Sequence, residues 1–209
     1  MPHVSLVSWD DEQDLWHQGY TRVAGIDEAG RGALAGPVVA AAVIFPPGVT
    51  IANVDDSKRL TAVERERLFQ TILRVAVGVG LGYVDASVID RVNIRQGTLL
   101  AMQAAVRDLK CPPDFLLIDG RDGVPAHQPQ RPVVRGDQTV GSIAAASIVA
   151  KVSRDRYMES LDGQFQGYGL AQHKGYGTAA HLRAIQLLGP TVMHRITFRG
   201  VMPAASLYD

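Results

Sequence analysis

The sequence predicts an α/β domain on a mixed β-sheet, and three observations carry that prediction. Two apolar runs rich in β-branched residues, "TRVAGID" and "PVVAAAVIF", flank a glycine-rich turn, the pattern of neighbouring strands. Farther along, short apolar runs alternate with segments of helical period. Acids stand at telling places: Asp27 closes the first run, Asp119 closes "FLLIDG", and Asp137 lies in the loop before the longest helix. With the first and fourth strands as parallel neighbours, these acids converge at the strand ends where open α/β sheets place their sites.

The elements follow in order. After the two opening strands, "LTAVERERLFQTILRV" begins with a capping box, Thr61 and Glu64, and spaces Leu68, Ile72 and Val75 as one face of a helix. "VAVGVGLGYV", Val75 to Val84, reads as the third strand. A second helix spans Gln96 to Lys110, stopped by Pro112 and Pro113. "FLLIDG" is the fourth, buried strand, and "RPVVRGD" a short one ending near Asp137. "GSIAAASIVAKVSRDRYMESL" predicts a long helix whose small residues let it lie close on the sheet, and "GTAAHLRAIQLLG" a last helix before an irregular tail from Pro190. Residues 1–20 read as an N-terminal extension. Residues 21–209 read as one domain whose helical C-terminal part starts at about 177.

Bulk properties narrow the function. With 46% hydrophobic and 20% charged residues the chain has the composition of an ordinary globular protein. Its first residues lack a basic start followed by a long apolar core, so a cytoplasmic protein without a membrane partner is expected. The single cysteine, Cys111, excludes an internal disulfide and a cysteine-based metal site, and is expected as a small buried residue at a helix end. Formal net charge is zero, yet residues 1–28 carry six acids against Arg22 alone, while residues 151–200 carry seven bases against three acids. A neutral total therefore still permits a local basic face.

Four converging carboxylates, Asp27, Glu28, Asp119 and Asp137, would repel one another unless cations neutralised them. An all-oxygen set favours hard ions, Mg²⁺ or Mn²⁺, and two such ions suit in-line attack of water on a phosphodiester. Asp155 in "SRDR" reads as a surface helix charge. Gly30, Gly32 and Gly36 miss the dinucleotide-binding spacing, and the "RGD" at 135–137 has no adhesive role in a cytoplasmic chain.

Six stretches in order, "GIDEAGRGALAGPVVAAAVI", "DSKRL", "LLIDG", "RGD" with "SIAAASIVAKVSRDRYM", "GYGLAQHKGYGTAAH" and "HRITF", resemble bacterial ribonuclease HII, the type 2 ribonuclease H family, from about residue 21 to 198. The resemblance implies a ribonuclease H-like fold, a mixed sheet flanked by helices. It implies hydrolysis of RNA in RNA–DNA hybrids and cutting 5′ of ribonucleotides embedded in duplex DNA, with 3′-hydroxyl and 5′-phosphate ends. By motif match, Asp27, Glu28, Asp119 and Asp137 are the catalytic acids, holding two Mn²⁺ or Mg²⁺ ions. The segment after "GD", "GDQTVGSIAAAS", departs from the family's serine-rich version. Gly30, Arg31 and Gly32 resemble the turn that reads the junction between ribose and deoxyribose. Glycines let main-chain groups approach a sugar whose 2′-hydroxyl donates and accepts hydrogen bonds. Tyr176 matches the family tyrosine that packs on the following deoxyribose, and Lys58, Lys174 and Arg31 are placed to hold phosphates. His173, His181 and His194 are expected at the surface or at helix caps. The protein is expected to act as a monomer, and "VMPAASLYD" offers no sliding-clamp motif. The alternative is a non-catalytic nucleic-acid-binding module on the same scaffold.

Overall fold

The structure is a computed structural model that describes residues 6–202. Five strands, β1 (Val23–Ala29), β2 (Val38–Ile44), β3 (Gly78–Val84), β4 (Phe115–Asp119) and β5 (Gln130–Val133), form one sheet in the order β3-β2-β1-β4-β5. β1 runs antiparallel to β2, pairing Asp27 with Ala41, and parallel to β4, pairing Ile26 with Ile118. The sheet is therefore mixed, and the parallel β1–β4 contact brings Asp27 and Asp119 level with each other.

Helices α1 (Asp10–His17), α2 (Ala62–Val75), α3 (Ala86–Val92), α4 (Ile94–Asp108), α5 (Gly141–Leu161), α6 (Leu170–His173) and α7 (Ala179–Leu188) surround it. The two-residue period of the strands sorts the side chains by face. Ala24, Ile26, Leu116 and Ile118 pack with Met102 and Ala105 of α4. Ala41 and Val43 face the other way, onto Ala145, Ile148 and Val149 of α5 and Leu68 and Ile72 of α2. β2 is buried along its whole length because both faces are covered. The close approach of α5 depends on Gly25: a Cβ there would sit 2.2 Å from the Ser142 carbonyl carbon.

Several boundaries differ from the sequence-based expectation. β1 continues to Ala29, so Asp27 and Glu28 lie inside the strand, and Val75 ends α2 rather than opening β3. The expected helix from Gln96 instead spans Ile94–Asp108, capped by the Asn93 side chain, which accepts from the Gln96 amide at 3.2 Å. The short helices α1, α3 and α6 were not anticipated, since at 8, 7 and 4 residues they are too short to show a clear period. Cys111 is only half-buried beyond the end of α4, its Sγ 3.6 Å from the Val77 carbonyl.

The segment read as an extension is joined to the domain. Ser8 bridges to Val140, and its carbonyl accepts from the Gly141 amide at 2.8 Å. Glu12, buried, accepts from the Ser142 amide at 2.7 Å, so α1 supplies a carboxylate to the N-terminal end of α5, where a helix dipole favours negative charge.

Candidate active site

The carboxylates meet where β1 and β4 end together. Oxygens of Asp27, Glu28 and Asp119 all lie within 4.8 Å of one another. Strand parity sends Asp27 to the α5 side, where the hydroxyl of Ser147 reaches it, and Glu28 toward α4, so the three acids meet because Asp119 ends β4 level with them and borders the cleft that Glu28 lines. Asp137 sits in a 3-10 turn, Gly136–Gln138, entered through the left-handed Arg135. Its amide donates to Asp119 Oδ1 at 3.3 Å, while its own carboxylate lies 3.5 Å from Lys58 Nζ. It is thus beside the three-acid cluster, joined to it through Asp119.

A fifth carboxylate, Asp56, was not anticipated. It is buried, accepts from the Lys58 amide at 3.0 Å and lies 3.7 Å from Lys58 Nζ. The available signal was its place in "DSKRL", two residues before Lys58.

Burial dominates the electrostatics. It raises the Asp27 pKa well above the ordinary carboxylate value, and repulsion from Glu28 and Asp119 adds to it. Glu28 is raised by burial and partly restored by Arg31, 3.6 Å away. Asp119 is raised by burial against the opposing hydrogen bonds from the Asp137 and Gly136 amides. Asp137 is raised by burial, then by Asp119 and Asp56. For Lys58, burial acts downward but Asp56, Asp137 and Asp27 together outweigh it, so its pKa rises. So many buried carboxylates, with hard oxygen donors and few cations, fit divalent metal binding.

The glycine turn next to them is held from below by two buried arginines that the sequence reading did not single out, Arg154 in "SRDR" and Arg195 in "HRITF". Arg154 donates to the carbonyls of Pro37, Lys174 and Ala35 at 2.9–3.0 Å. Arg195 donates to those of Gly36 and Arg31 at 2.9–3.1 Å. Among the described residues neither has a carboxylate in ion-pair range, and burial pulls the Arg195 pKa down to about 9. Gly30 has φ +89°, and a Cβ there would lie 1.9 Å from Arg154 Nε; Gly32 has nothing within 4 Å of its would-be Cβ. Packing therefore accounts for Gly30 and leaves Gly32 open to the exterior.

The Leu34 and Ala35 amides donate to the Gly175 carbonyl at 2.8 and 3.2 Å, stitching this turn to the loop that carries Tyr176. Arg154 and Lys151 lie 5.3 and 5.6 Å from the Tyr176 ring centre. One cleft is lined by Glu28, Arg31, Gly32, Lys58, Lys151 and Tyr176. Lys174 is turned elsewhere: its ammonium is 2.9 Å from Glu159 and also donates to the Ala171 carbonyl. Asp155 pairs with Lys151 at 2.8 Å and is half-buried. The histidines correct the expectation of surface or capping positions. His181 and His194 are 0% and 3% exposed, because the nearby backbone groups of Tyr176 and Thr191, and each other's ring, satisfy their nitrogens in the interior.

Comparison with known proteins agrees with this geometry. The Ribonuclease HII family profile matches residues 24–201. A ribonuclease HII of Geobacter metallireducens is 56% identical over 92% of this chain and 91% of its own length. Among solved structures, the PCNA:RNase HII complex from Archaeoglobus fulgidus superposes with a TM-score of 0.71 at 25% identity, covering 89% of this chain and 98% of that one. Bst-RNase HIII in complex with Mn²⁺ shares the fold, with a TM-score of 0.63 at 20% identity over 87% of this chain and 68% of that one. No helix among the described residues is long and apolar enough to cross a membrane. The expected lack of a clamp motif concerns a tail whose residues 203–209 lie outside the described residues. With its sheet, its acids and the match across nearly its whole length, the chain belongs to the ribonuclease HII family of metal-dependent endoribonucleases.

Proposed function

We propose that this protein hydrolyses the RNA strand of RNA–DNA hybrids and cuts on the 5′ side of ribonucleotides embedded in duplex DNA, leaving 3′-hydroxyl and 5′-phosphate ends. The observation that carries the proposal is the meeting of Asp27, Glu28 and Asp119 beside a turn whose Gly32 is open to the exterior. Asp27, Glu28, Asp119 and Asp137 would hold two divalent ions, Mn²⁺ or Mg²⁺, in line with the manganese of the ribonuclease HIII neighbour. Such ions, when bound, supply Lewis-acid stabilisation of the attacking and leaving oxygens.

The chain's own groups do the rest. Lys58, paired with Asp56 and Asp137 but with its side chain 76% exposed, would reach a phosphate oxygen from there, as would Arg31, paired with Glu28 at the mouth of the cleft. Gly30, Arg31 and Gly32 offer main-chain groups to a 2′-hydroxyl, which distinguishes RNA from DNA without reading bases. Tyr176 presents an aromatic face to a sugar lacking that hydroxyl. Lys174 contributes through its carbonyl, which Arg154 holds, rather than through its ammonium. The proposed task is removal of ribonucleotides from DNA, by a monomer in the cytoplasm.

The test is cleavage of a labelled DNA duplex containing one ribonucleotide, in Mg²⁺, Mn²⁺ or chelator, with the cut mapped. A metal-dependent cut just 5′ to the ribonucleotide is expected, and Asp119→Asn should abolish it while leaving substrate binding largely intact. A variant that cuts at near wild-type rate refutes the metal-ligand role. Cutting only within longer RNA tracts would remove junction recognition and keep the nuclease.

A further inference from the structure

Three histidines cluster close behind the Tyr176 loop, and two of them, His181 and His194, form a hydrogen-bond chain that the hydrolytic site does not use. His194 Nδ1 lies 2.9 Å from the Thr191 amide nitrogen. A backbone amide only donates, so that ring nitrogen must be bare and the neutral ring carries its proton on Nε2. Nε2 faces His181 Nε2 at 3.1 Å, which must therefore accept. The proton of His181 is then on Nδ1, 3.0 Å from the Tyr176 carbonyl, which only accepts. Both ends of the chain are backbone groups of fixed polarity, so one neutral proton arrangement satisfies every member.

His173 adds a parallel tie. Its Nδ1 accepts from the Gly175 amide at 3.2 Å, and its Nε2 is 2.7 Å from the Tyr168 carbonyl. The ring stacks on His181 with centroids 4.3 Å apart. The groups facing this cluster are Tyr168, 5.1 Å from the His194 ring, and the other histidines of the cluster; no carboxylate is paired with it among the described residues. Burial, the largest cause, lowers the pKa of His181 and takes that of His194 to about 4, which keeps the chain neutral. Protonating either ring would set one N–H against another.

We propose that His181 and His194 are positioning residues for substrate selectivity: the directional chain Thr191, His194, His181, Tyr176 fixes the Tyr176 backbone, and so aims its ring into the cleft. This rests on the reading of Tyr176 as a junction-recognising group. The Tyr176 carbonyl also takes the Thr178 amide at 2.8 Å, so the chain fixes rotation of a peptide that already has one tie.

Two variants of one residue separate positioning from packing. In His181→Asn the amide nitrogen stands near the place of Nδ1 and still donates to Tyr176; in His181→Gln the amide reaches toward His194 and leaves the Tyr176 carbonyl without that donor. The readout is the ratio of kcat/KM on a single-ribonucleotide duplex to that on a long RNA–DNA hybrid. His181→Gln should lower the ratio by about two- to tenfold, the effect of one hydrogen bond, and His181→Asn should preserve it. Equal ratios in the two variants overturn the inference. In the wild-type protein, ¹⁵N ring shifts should show His181 protonated on Nδ1 and His194 on Nε2, without titration near neutral pH; the opposite tautomers overturn it even where a variant fails to fold. Tyr176→Ala tells the two failures apart. An unchanged ratio there removes the reading beneath the inference, whereas a changed ratio there with wild-type ratios in both His181 variants removes the inference alone.

Discussion

Gly30 and Gly32 belong to one turn, yet they should fail in different ways when given a methyl group. At Gly30, φ of +89° costs an L-residue about 1–2 kcal/mol. The new Cβ also falls 1.9 Å from Arg154 Nε, displacing a guanidinium bonded to Pro37, Lys174 and Ala35. Losing one charge-assisted bond adds about 1.5–3 kcal/mol, for a total of about 2.5–5 kcal/mol. For a chain of this size that lowers Tm by about 5–20 °C. Gly32→Ala meets nothing within 4 Å, so its stability should stay within about 0.5 kcal/mol of wild type. Its methyl would instead hold a sugar away from the turn and slow junction cleavage by about a hundredfold, the usual effect of an ångström of misplacement. Urea unfolding and cleavage of the single-ribonucleotide duplex measure the two quantities. Wild-type stability in Gly30→Ala refutes the account of Arg154 packing; wild-type cleavage in Gly32→Ala refutes the assignment of that open space to substrate.

Other predictions concern metal and pH. Mn²⁺ at a hundredfold excess over its Kd should stabilise the protein by about 2.7 kcal/mol and raise Tm by about 5–10 °C, and Asp119→Asn should lose most of that gain in a thermal melt. In metal-free protein the raised Asp27 pKa makes its ionised form costly at pH 8, a cost that starts to shrink as pH falls through the raised folded value and is gone below the ordinary carboxylate value. Asp27→Asn should accordingly be more stable than wild type at pH 8, with the gap closing in acid; a constant gap would deny burial as the cause. His194 has the opposite sign. Its pKa is lowered to about 4, so between pH 6.5 and 4 the unfolded chain takes a proton the folded one refuses. That removes up to about 3 kcal/mol as pH falls, and His194→Gln should flatten this part of the denaturation profile.

The sheet and its acids were legible because both are local patterns. β-Branched runs mark strands, and an Asp-Glu pair inside an apolar run is costly to bury without a purpose. Thr61 and Glu64 form the expected capping box, with Glu64 accepting from the Thr61 amide at 2.8 Å. What stayed hidden depends on distant partners. Nothing in "SRDR" distinguishes Arg154 until α5 lies on β1 and presents it to the Pro37 and Ala35 carbonyls, more than a hundred residues away. His181 and His194 are ordinary polar residues in sequence, and only folding pairs their rings. The ammonium of Lys174 looked free because Glu159, which takes it, lies in a different helix.

The contact between Glu12 and the start of α5 spans 130 residues. During synthesis α1 emerges before any of the five strands, yet the amide that it must meet, Ser142, leaves the ribosome only after all five have been made. The N-terminal residues must therefore wait, with a carboxylate destined for burial still in water. Their docking closes the domain next to the turn that holds Asp137, so a helix made before the sheet completes the surroundings of the last of the four carboxylates. Closing so long a loop is slow but thermodynamically inexpensive. Trimming the chain before Val23 would leave that end of α5 open, and the cost would be felt first in the placement of Asp137.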